Sequence, residues 1–221
     1  IESIRNAQSK GFKILAETCP QYLFLTKDKL DQEDFEGAKF VCSPPPRTKE
    51  DQEEVWKAIQ NGTFDVFSSD HCPFYFKGNK GKDLKGTNAS FSQIPNGIPG
   101  LETRLPLLFS EGVLKNRISI NKFVEITSLK PAKIYGLYPK KGSISIGSDA
   151  DLVVWDTNIK KKIKNEDLNH SVDYTPYEDM EVNAWPNTII SRGSVVVKEG
   201  ALIAKRGHGE FLKSDISDYV Y

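Results

Sequence analysis

Two short apolar segments, Lys13–Glu17 and Phe64–Ser68, most constrain the fold of this chain. Each follows a segment with helical spacing: the first helix is stopped by Gly11, and the second is opened by Thr48, a good helix cap. Helices that alternate with short apolar strands are typical of α/β folds, which bind ligands beyond the carboxyl ends of their strands. We therefore predict an α/β fold with its chemistry just after these strands.

The sequence changes character after Tyr138. Before it, apolar spacing predicts three helices with no strand between them, at Leu101–Phe109, Ile120–Ile126 and Pro131–Tyr135, the last two separated at Ser128 and Pro131. After it, β-type runs predict strands at Leu152–Trp155 and a hairpin of Val195–Val197 with Ala201–Ile203, while Lys160–Pro186 looks irregular. These patterns predict two domains, 1–138 and 139–221, the second rich in β-structure.

Charge and cysteine content limit the classes of partner. Lys plus Arg and Asp plus Glu each total 30, so the net charge is zero and no overall field favours nucleic acid or an acidic membrane surface. The three cysteines show no CxxC spacing, which fits a reducing compartment and predicts a cytoplasmic protein. The partner must therefore be inferred from individual sites.

Asp70 is the sharpest candidate for chemistry, because it follows the second predicted strand and precedes His71. A carboxylate at a strand end can ligate a metal or act as a base. The alternative is that Asp70 caps a turn and His71 is an ordinary polar neighbour, and spacing alone favours neither interpretation. Cys72 has no identifiable base nearby in the sequence, which disfavours thiol catalysis.

Two proline-stiffened loops are candidates for binding a ligand through the main chain. Ser43 precedes Pro44–Pro46, and Asn96 lies between Pro95 and Gly97. Such backbone has few internal hydrogen bonds, so its N–H and C=O groups are free for a planar amide, although a plain turn is the alternative for each loop. The chain holds three histidines and no HxH or HExxH motif, so no complete zinc site is visible.

Six segments resemble, in order and spacing, the signature of dihydropyrimidinases and D-hydantoinases in the amidohydrolase superfamily. They are Ala16–Leu23, Ser43–Arg47, Ser69–Phe74, Ile94–Gly100, Gly147–Val153 and Gly209–Leu212. The resemblance implies the C-terminal part of a TIM-like (β/α)8 barrel followed by a small β-sandwich. It also implies hydrolysis of a cyclic amide, the ring opening of a dihydropyrimidine or a hydantoin by metal-activated hydroxide.

The resemblance also assigns roles to particular residues. Asp70 matches a metal ligand that takes a proton from the attacking hydroxide and passes it to the leaving nitrogen. Ser43 and Asn96 match positions whose main-chain groups bind the cyclic amide. Zinc, two ions per active site, is implied by the family alone, because one carboxylate ligand is compatible with several metals.

The family's remaining metal-binding groups would precede Ile1: an HxH pair, a carboxylated lysine and two further histidines. The chain begins within a helical pattern and without Met, which predicts an N-terminal truncation. We therefore expect a full-length parent to be active and these 221 residues alone to be inactive and poorly soluble.

The alternative is a non-catalytic relative, similar to the collapsin response mediator proteins, that acts in scaffolding. Such relatives tend to lose the metal-binding aspartate and the basic residue after the prolines, whereas Asp70 and Arg47 are present here. The resemblance further implies a homo-oligomer, a tetramer or a dimer. The tail with Tyr219 and Tyr221 is either a contact with a neighbouring subunit or a frayed terminus.

Overall fold

The computed structural model describes residues 1–217 and 219. Its α-helices are α1 (Glu2–Ser9), α2 (Gln21–Phe24), α3 (Lys49–Gln60), α4 (Arg104–Leu108), α5 (Ile120–Val124) and α6 (Lys130–Ile134). Its strands are β1 (Glu17–Thr18), β2 (Val66–Phe67), β3 (Leu152–Asp156), β4 (Lys161–Lys162), β5 (Glu181–Val182), β6 (Trp185–Ser191), β7 (Ser194–Lys198) and β8 (Ala201–Leu202). Among the described residues, no helix has the length and apolarity needed to cross a membrane.

β1 and β2 form a parallel pair, with Thr18 opposite Phe67. Parallel neighbours need a crossover connection, and α3 lies within it. The predicted cap is confirmed, because the Thr48 hydroxyl accepts from the Asp51 N–H while the Asp51 carboxylate accepts from the Thr48 N–H, at 3.3 and 3.1 Å. The first part of the chain thus contains one βαβ unit.

The prediction of a buried strand at Lys13–Glu17 is wrong in extent and in burial. The strand is limited to Glu17–Thr18, and the preceding Phe12, Ile14 and Leu15 are exposed by 62%, 41% and 40%. The reason is that β1 pairs only with β2 among the described residues, so its other edge and the residues before it have no covering element there.

The three helices predicted before Tyr138 are partly corrected. The first begins later, at Arg104, and continues through a π-helical segment, Phe109–Val113. The last two are not separated, because a second π-helical segment, Glu125–Leu129, joins α5 to α6. Pro131 is the second residue of α6, which directly follows the π-helical segment.

Four strands after Tyr138 form one antiparallel sheet in the order β3-β6-β7-β8. The predicted hairpin is confirmed: Glu199 and Gly200, with φ of 50° and 80°, turn the chain between β7 and β8. Positive φ at both positions is what a tight two-residue hairpin turn demands. The interval predicted as irregular is more ordered than expected, since it contains the antiparallel pair β4-β5.

Side chains from both sides of Tyr138 share the same core. Trp155 of β3 stacks on Phe109 at a centroid distance of 4.6 Å and meets Phe123 edge-on at 5.8 Å. A second cluster joins Leu25, Phe40, Cys42, Ile98 and Leu107 to Ile163, Tyr177 and Val182. The two predicted domains therefore pack directly on each other, and their division near Tyr138 stays a prediction. In the tail, Tyr219 is half-buried and Tyr221 lies outside the described residues.

A pair of leucines tests this core. Leu108 is fully buried, whereas Leu114, six residues later in the same helical region, is 39% exposed. We expect Leu108→Ala to lower the free energy of unfolding by about 2–5 kcal/mol, because it removes buried contacts and leaves a cavity. Leu114→Ala should cost about 1 kcal/mol or less. Urea denaturation followed by tryptophan fluorescence measures both, and equal costs would contradict the core described here.

Candidate active site

Two polar side chains meet beyond the carboxyl ends of β1 and β2. Gln21 follows β1, Asp70 follows β2, and the Gln21 amide nitrogen donates to Asp70 Oδ2 at 3.3 Å. Beneath them, the Cys19 thiol and the Ser68 hydroxyl are 3.1 Å apart. Asp70 has a φ of 46° and an exposed side chain. The structure therefore places Asp70 at the strand end that the sequence predicted, facing solvent.

Gln21 is buried and Arg104 is half-buried close to the ends of β1 and β2. Gln21 is fully buried, and its Oε1 has no hydrogen-bond partner among the described residues. The Arg104 guanidinium donates to the carbonyl of Phe67 in β2, and burial lowers its pKa. The strand ends thus carry one exposed carboxylate that is hydrogen-bonded to a buried glutamine.

Ser43 and Asn96 line one cavity of about 490 Å³, although they lie far apart in the sequence. The rest of its lining is mainly apolar and includes Phe35, Val41 and Ile94. Among residues 1–217 and 219, the Ser43 N–H and C=O and the Asn96 N–H make no backbone hydrogen bond. A mainly apolar cavity with a few free polar groups is the usual form of a small-molecule site.

Backbone hydrogen bonds connect this cavity to the strand that carries Asp70. The Cys72 N–H donates to the Ile98 carbonyl at 3.1 Å, and the Gly97 N–H donates to the Val41 carbonyl at 3.0 Å. Asp70 is not itself in the cavity wall. It is joined through two backbone contacts to the segments that contain Ser43 and Asn96, so all three predicted site residues belong to one bonded region.

His71 is held by the loop that follows Asn96. Its Nδ1 accepts from the backbone N–H groups of Gly100 and Leu101, at 3.1 and 3.2 Å. Two donors to Nδ1 require a neutral ring with its proton on Nε2, and burial lowers the pKa of His71. The Nδ1 atom of His71 therefore has hydrogen-bond partners. This agrees with the alternative in which His71 is an ordinary polar neighbour of Asp70.

The three cysteines differ in exposure. Cys19 and Cys42 are buried, and burial raises the pKa of each thiol to about 11. Cys72 is exposed, with the Asn96 carbonyl 4.0 Å from its sulfur. A protonated buried thiol is a poor nucleophile, so thiol catalysis by Cys19 or Cys42 is disfavoured.

Asp70 is the candidate metal ligand that the structure places in the open. Among the described residues, no group of three or more His, Cys, Asp or Glu side chains is arranged to hold a metal ion. A carboxylate oxygen is a suitable ligand for zinc and for harder divalent ions. The chain therefore offers one ligand of suitable chemistry and not a complete coordination sphere.

Lys82 is a site residue that sequence reasoning missed. It is fully buried, and its Nζ donates to the carbonyls of Val41 and Pro95 at 3.2 and 2.9 Å. Burial lowers its pKa to about 8. It stands among several lysines in a Gly/Lys/Asn loop, so no local pattern distinguishes it from its exposed neighbours such as Lys80 and Lys85.

Position 97 requires glycine because its backbone packs closely against Cys72. Its φ is 149°, and an added Cβ would lie 2.7 Å from Cys72 Cβ and 2.8 Å from the sulfur. We expect Gly97→Ala to lower stability by about 1–3 kcal/mol. Gly209→Ala is the control, because nothing lies within 4 Å of a Cβ there. Urea denaturation compares the two variants, and a Gly97→Ala midpoint equal to the control would refute the contact.

The pKa of Lys82 predicts a pH dependence of stability. Its folded-state pKa of about 8 lies below the ordinary 10.5, so the unfolded chain binds the proton more tightly. The burial penalty is complete below pH 8, and stability rises between pH 8 and 10.5 as the buried amine becomes neutral. In their ionised forms, Cys42 and Cys72 oppose this shift.

Lys82→Met should remove this pH-dependent contribution to the free energy of unfolding. Between pH 7 and 9.5 the wild-type chain should gain about 1–2 kcal/mol relative to Lys82→Met, since one pKa unit corresponds to about 1.4 kcal/mol. Urea denaturation at both pH values measures the difference. Lys85→Met, at an exposed lysine of the same loop, should retain the wild-type dependence. Parallel pH profiles for the wild type and Lys82→Met would show that Lys82 titrates normally.

The chain is similar to known proteins in both sequence and structure. The model of the amidohydrolase family matches residues 23–196. A D-hydantoinase from Ralstonia pickettii is 45% identical over 96% of this chain and 46% of its own length. The crystal structure of a D-hydantoinase superposes with a TM-score of 0.92 at 46% identity, covering 97% of this chain and 46% of that one. A dihydropyrimidinase from Brevibacillus agri gives 0.87 at 46% identity, covering 91% and 43%.

The chain spans about half the length of the relatives it matches. The match covers most of this chain and includes all three predicted site residues, 43, 70 and 96. This chain therefore belongs to the amidohydrolase family and is similar to the D-hydantoinases and dihydropyrimidinases within it.

Proposed function

We propose that this chain, as part of a longer protein, supplies one side of an active site that hydrolyses a cyclic amide. A single observation carries the proposal: the strand end that presents Asp70 is hydrogen-bonded to the loop of Asn96, which is in turn bonded to the segment of Ser43. A carboxylate and free main-chain amide groups are thereby joined in one region. The relatives named above are hydantoinases and a dihydropyrimidinase, which supports a dihydropyrimidine or hydantoin ring as substrate.

Ser43 and Asn96 would bind the ring through their main chains. A cyclic amide presents an N–H donor beside a C=O acceptor, and it pairs with backbone groups of the opposite kind. The N–H and C=O groups of Ser43 and the N–H of Asn96, which make no backbone hydrogen bond within the described part of the chain, supply such partners at the cavity. Because both loops are fixed by prolines and by hydrogen bonds, little ordering is needed when the substrate binds.

Asp70 would move the proton. Its Oδ2 is held by Gln21, and its Oδ1 has no hydrogen-bond partner among residues 1–217 and 219. A free carboxylate oxygen accepts a proton from the attacking water and returns it to the ring nitrogen that leaves. The same exposed carboxylate fits the role of a metal ligand, and we propose zinc. The metal would polarise the amide carbonyl and lower the pKa of bound water.

The remaining metal ligands would come from residues outside this chain. The family membership favours a metal cofactor, whereas the described residues supply one suitable ligand. We propose that residues 1–138 form the last part of a (β/α)8 barrel, with β1 and β2 as two of its parallel strands. Residues 139–221 would form the accompanying β-sandwich, to which β3-β6-β7-β8 belong.

We further propose a homo-oligomer in the cytoplasm. Large apolar side chains are exposed on the part that follows Tyr138, including Ile144, Ile146, Phe211 and Ile216. Exposed apolar groups of this kind are common at subunit interfaces. The three free thiols support a reducing compartment.

Asp70→Asn in the full-length protein tests the proposed function. The amide cannot accept the proton and is a weaker metal ligand, so we expect kcat/KM for dihydrouracil or hydantoin to fall by at least about 100-fold. Asp31→Asn, at an exposed loop position, is the control and should retain activity. Ring opening is followed by loss of ultraviolet absorbance. Full activity in Asp70→Asn would contradict the proposal, and a wild-type protein that hydrolyses neither ring would favour the scaffolding alternative.

The isolated 221-residue chain should not hydrolyse either substrate, with or without added zinc. The expected cause is the missing set of metal ligands and not misfolding. Metal analysis after dialysis, together with circular dichroism, separates these causes. Zinc-dependent ring opening by the purified chain would show that its own residues suffice.

A further inference from the structure

Lys82 links the two loops that carry the proposed substrate-binding groups. Its ammonium donates at 3.2 Å to the carbonyl of Val41, two residues before Ser43, and at 2.9 Å to that of Pro95, which directly precedes Asn96. The side chain is fully buried, and within the described chain no carboxylate lies within 4.0 Å of its Nζ. A buried lysine whose partners are two carbonyls therefore acts here as a cross-link between loops.

Asn96 is bracketed by this cross-link. On one side the Pro95 carbonyl is held by Lys82, and on the other the Gly97 N–H donates to the Val41 carbonyl at 3.0 Å. The Val41 carbonyl thus accepts from both Lys82 and Gly97. Both neighbours of Asn96 are tied to one point of the Ser43 segment, which fixes the relative position of the two loops.

The backbone that carries the Lys82 side chain is also held in place. The Lys82 N–H donates to the Tyr75 carbonyl at 2.8 Å, and Tyr75 pairs with Gly81 in an isolated bridge. Gly81 is packed so closely that an added Cβ would lie 2.6 Å from the backbone of Lys77. The chain that presents Lys82 is therefore anchored to the segment directly after Asp70, His71 and Cys72.

An apolar side chain at this position would leave the Pro95 carbonyl without this donor and would remove one of the two donors to the Val41 carbonyl. Hydrogen bonds from a charged donor are stronger than neutral ones, and an unpaired buried acceptor is costly. The loops would then relax, and a change of less than 1 Å in their separation weakens binding of a rigid planar ring. Val41, whose carbonyl accepts from Lys82, lines the cavity, so the effect of Lys82 on the cavity is indirect.

We propose that Lys82 is a positioning residue that sets the distance between the main-chain groups of Ser43 and Asn96 and so determines affinity for the cyclic amide. The inference rests on the proposed function for the substrate, while the cross-link itself rests on the hydrogen bonds alone. Lys82 does not touch the reacting atoms, so its loss should affect substrate binding more than the chemical step.

Hydrogen exchange tests the cross-link without requiring that the protein be enzymatically active. In the full-length protein, Lys82→Met should speed exchange at least tenfold in peptides covering 40–43 and 95–98, since the Gly97–Val41 backbone bond is then no longer reinforced by Lys82 and opens more often. Peptides of α3 should exchange as in the wild type, which shows that the variant is folded. Lys85→Met, at the exposed lysine, should leave both regions unchanged. Unchanged exchange at 95–98 in Lys82→Met would overturn the cross-link.

Steady-state kinetics on dihydrouracil and hydantoin test the positioning. We expect Lys82→Met to raise KM about tenfold with kcat within about threefold, the pattern of lost uniform binding. Lys85→Met should match the wild type. An active Lys82→Met enzyme with unchanged KM, despite faster exchange, would overturn the positioning role alone. A wild-type protein without hydrolysis would overturn the proposed function and the positioning role together, and the exchange data would still decide the cross-link.

Discussion

The parallel pairing of β1 with β2 is the constraint on which the candidate site depends. Parallel strands end at the same edge, so Gln21 after β1 and Asp70 after β2 meet although 49 residues separate them. The pairing also fixes the position of Cys72, which follows β2. The Cys72 N–H donates to the Ile98 carbonyl, and this bond fixes the loop that contains Asn96. A shift of one residue in this register would turn the β2 side chains to the opposite face and move Asp70.

The core explains why the β-rich part lies so close to the site. Tyr177 and Val182, from the connection between β4 and β6, pack in the same cluster as Leu25 and Ile98. Ile98 is two residues from Asn96, so part of the support for the proposed substrate loop comes from residues after Tyr138. Residues on both sides of Tyr138 therefore pack together beside the proposed site, even though each part has its own pattern in the sequence.

The polar groups near the strand ends differ in whether they have hydrogen-bond partners. His71 and Lys82 find hydrogen-bond partners in the backbone of the loop 95–101, whereas Gln21 Oε1 and Arg104 Nε have none among the described residues. Buried polar atoms are usually paired, so these two atoms are exceptions within the part of the chain that the structure describes.

The sequence by itself determined the elements with local causes and the family. The cap at Thr48 and the turn at Glu199 and Gly200 depend on neighbouring residues, so their patterns were sufficient. The family followed from ordered motifs, and the strand-end position of Asp70 from its place after an apolar run.

Only the tertiary structure decided that residues 12–15 are exposed and that Ser43 and Asn96 share a cavity. Likewise, only the fold singled out Lys82 from the other lysines of its loop. Burial and pairing between distant segments depend on the whole fold, and a local pattern of residues does not contain them.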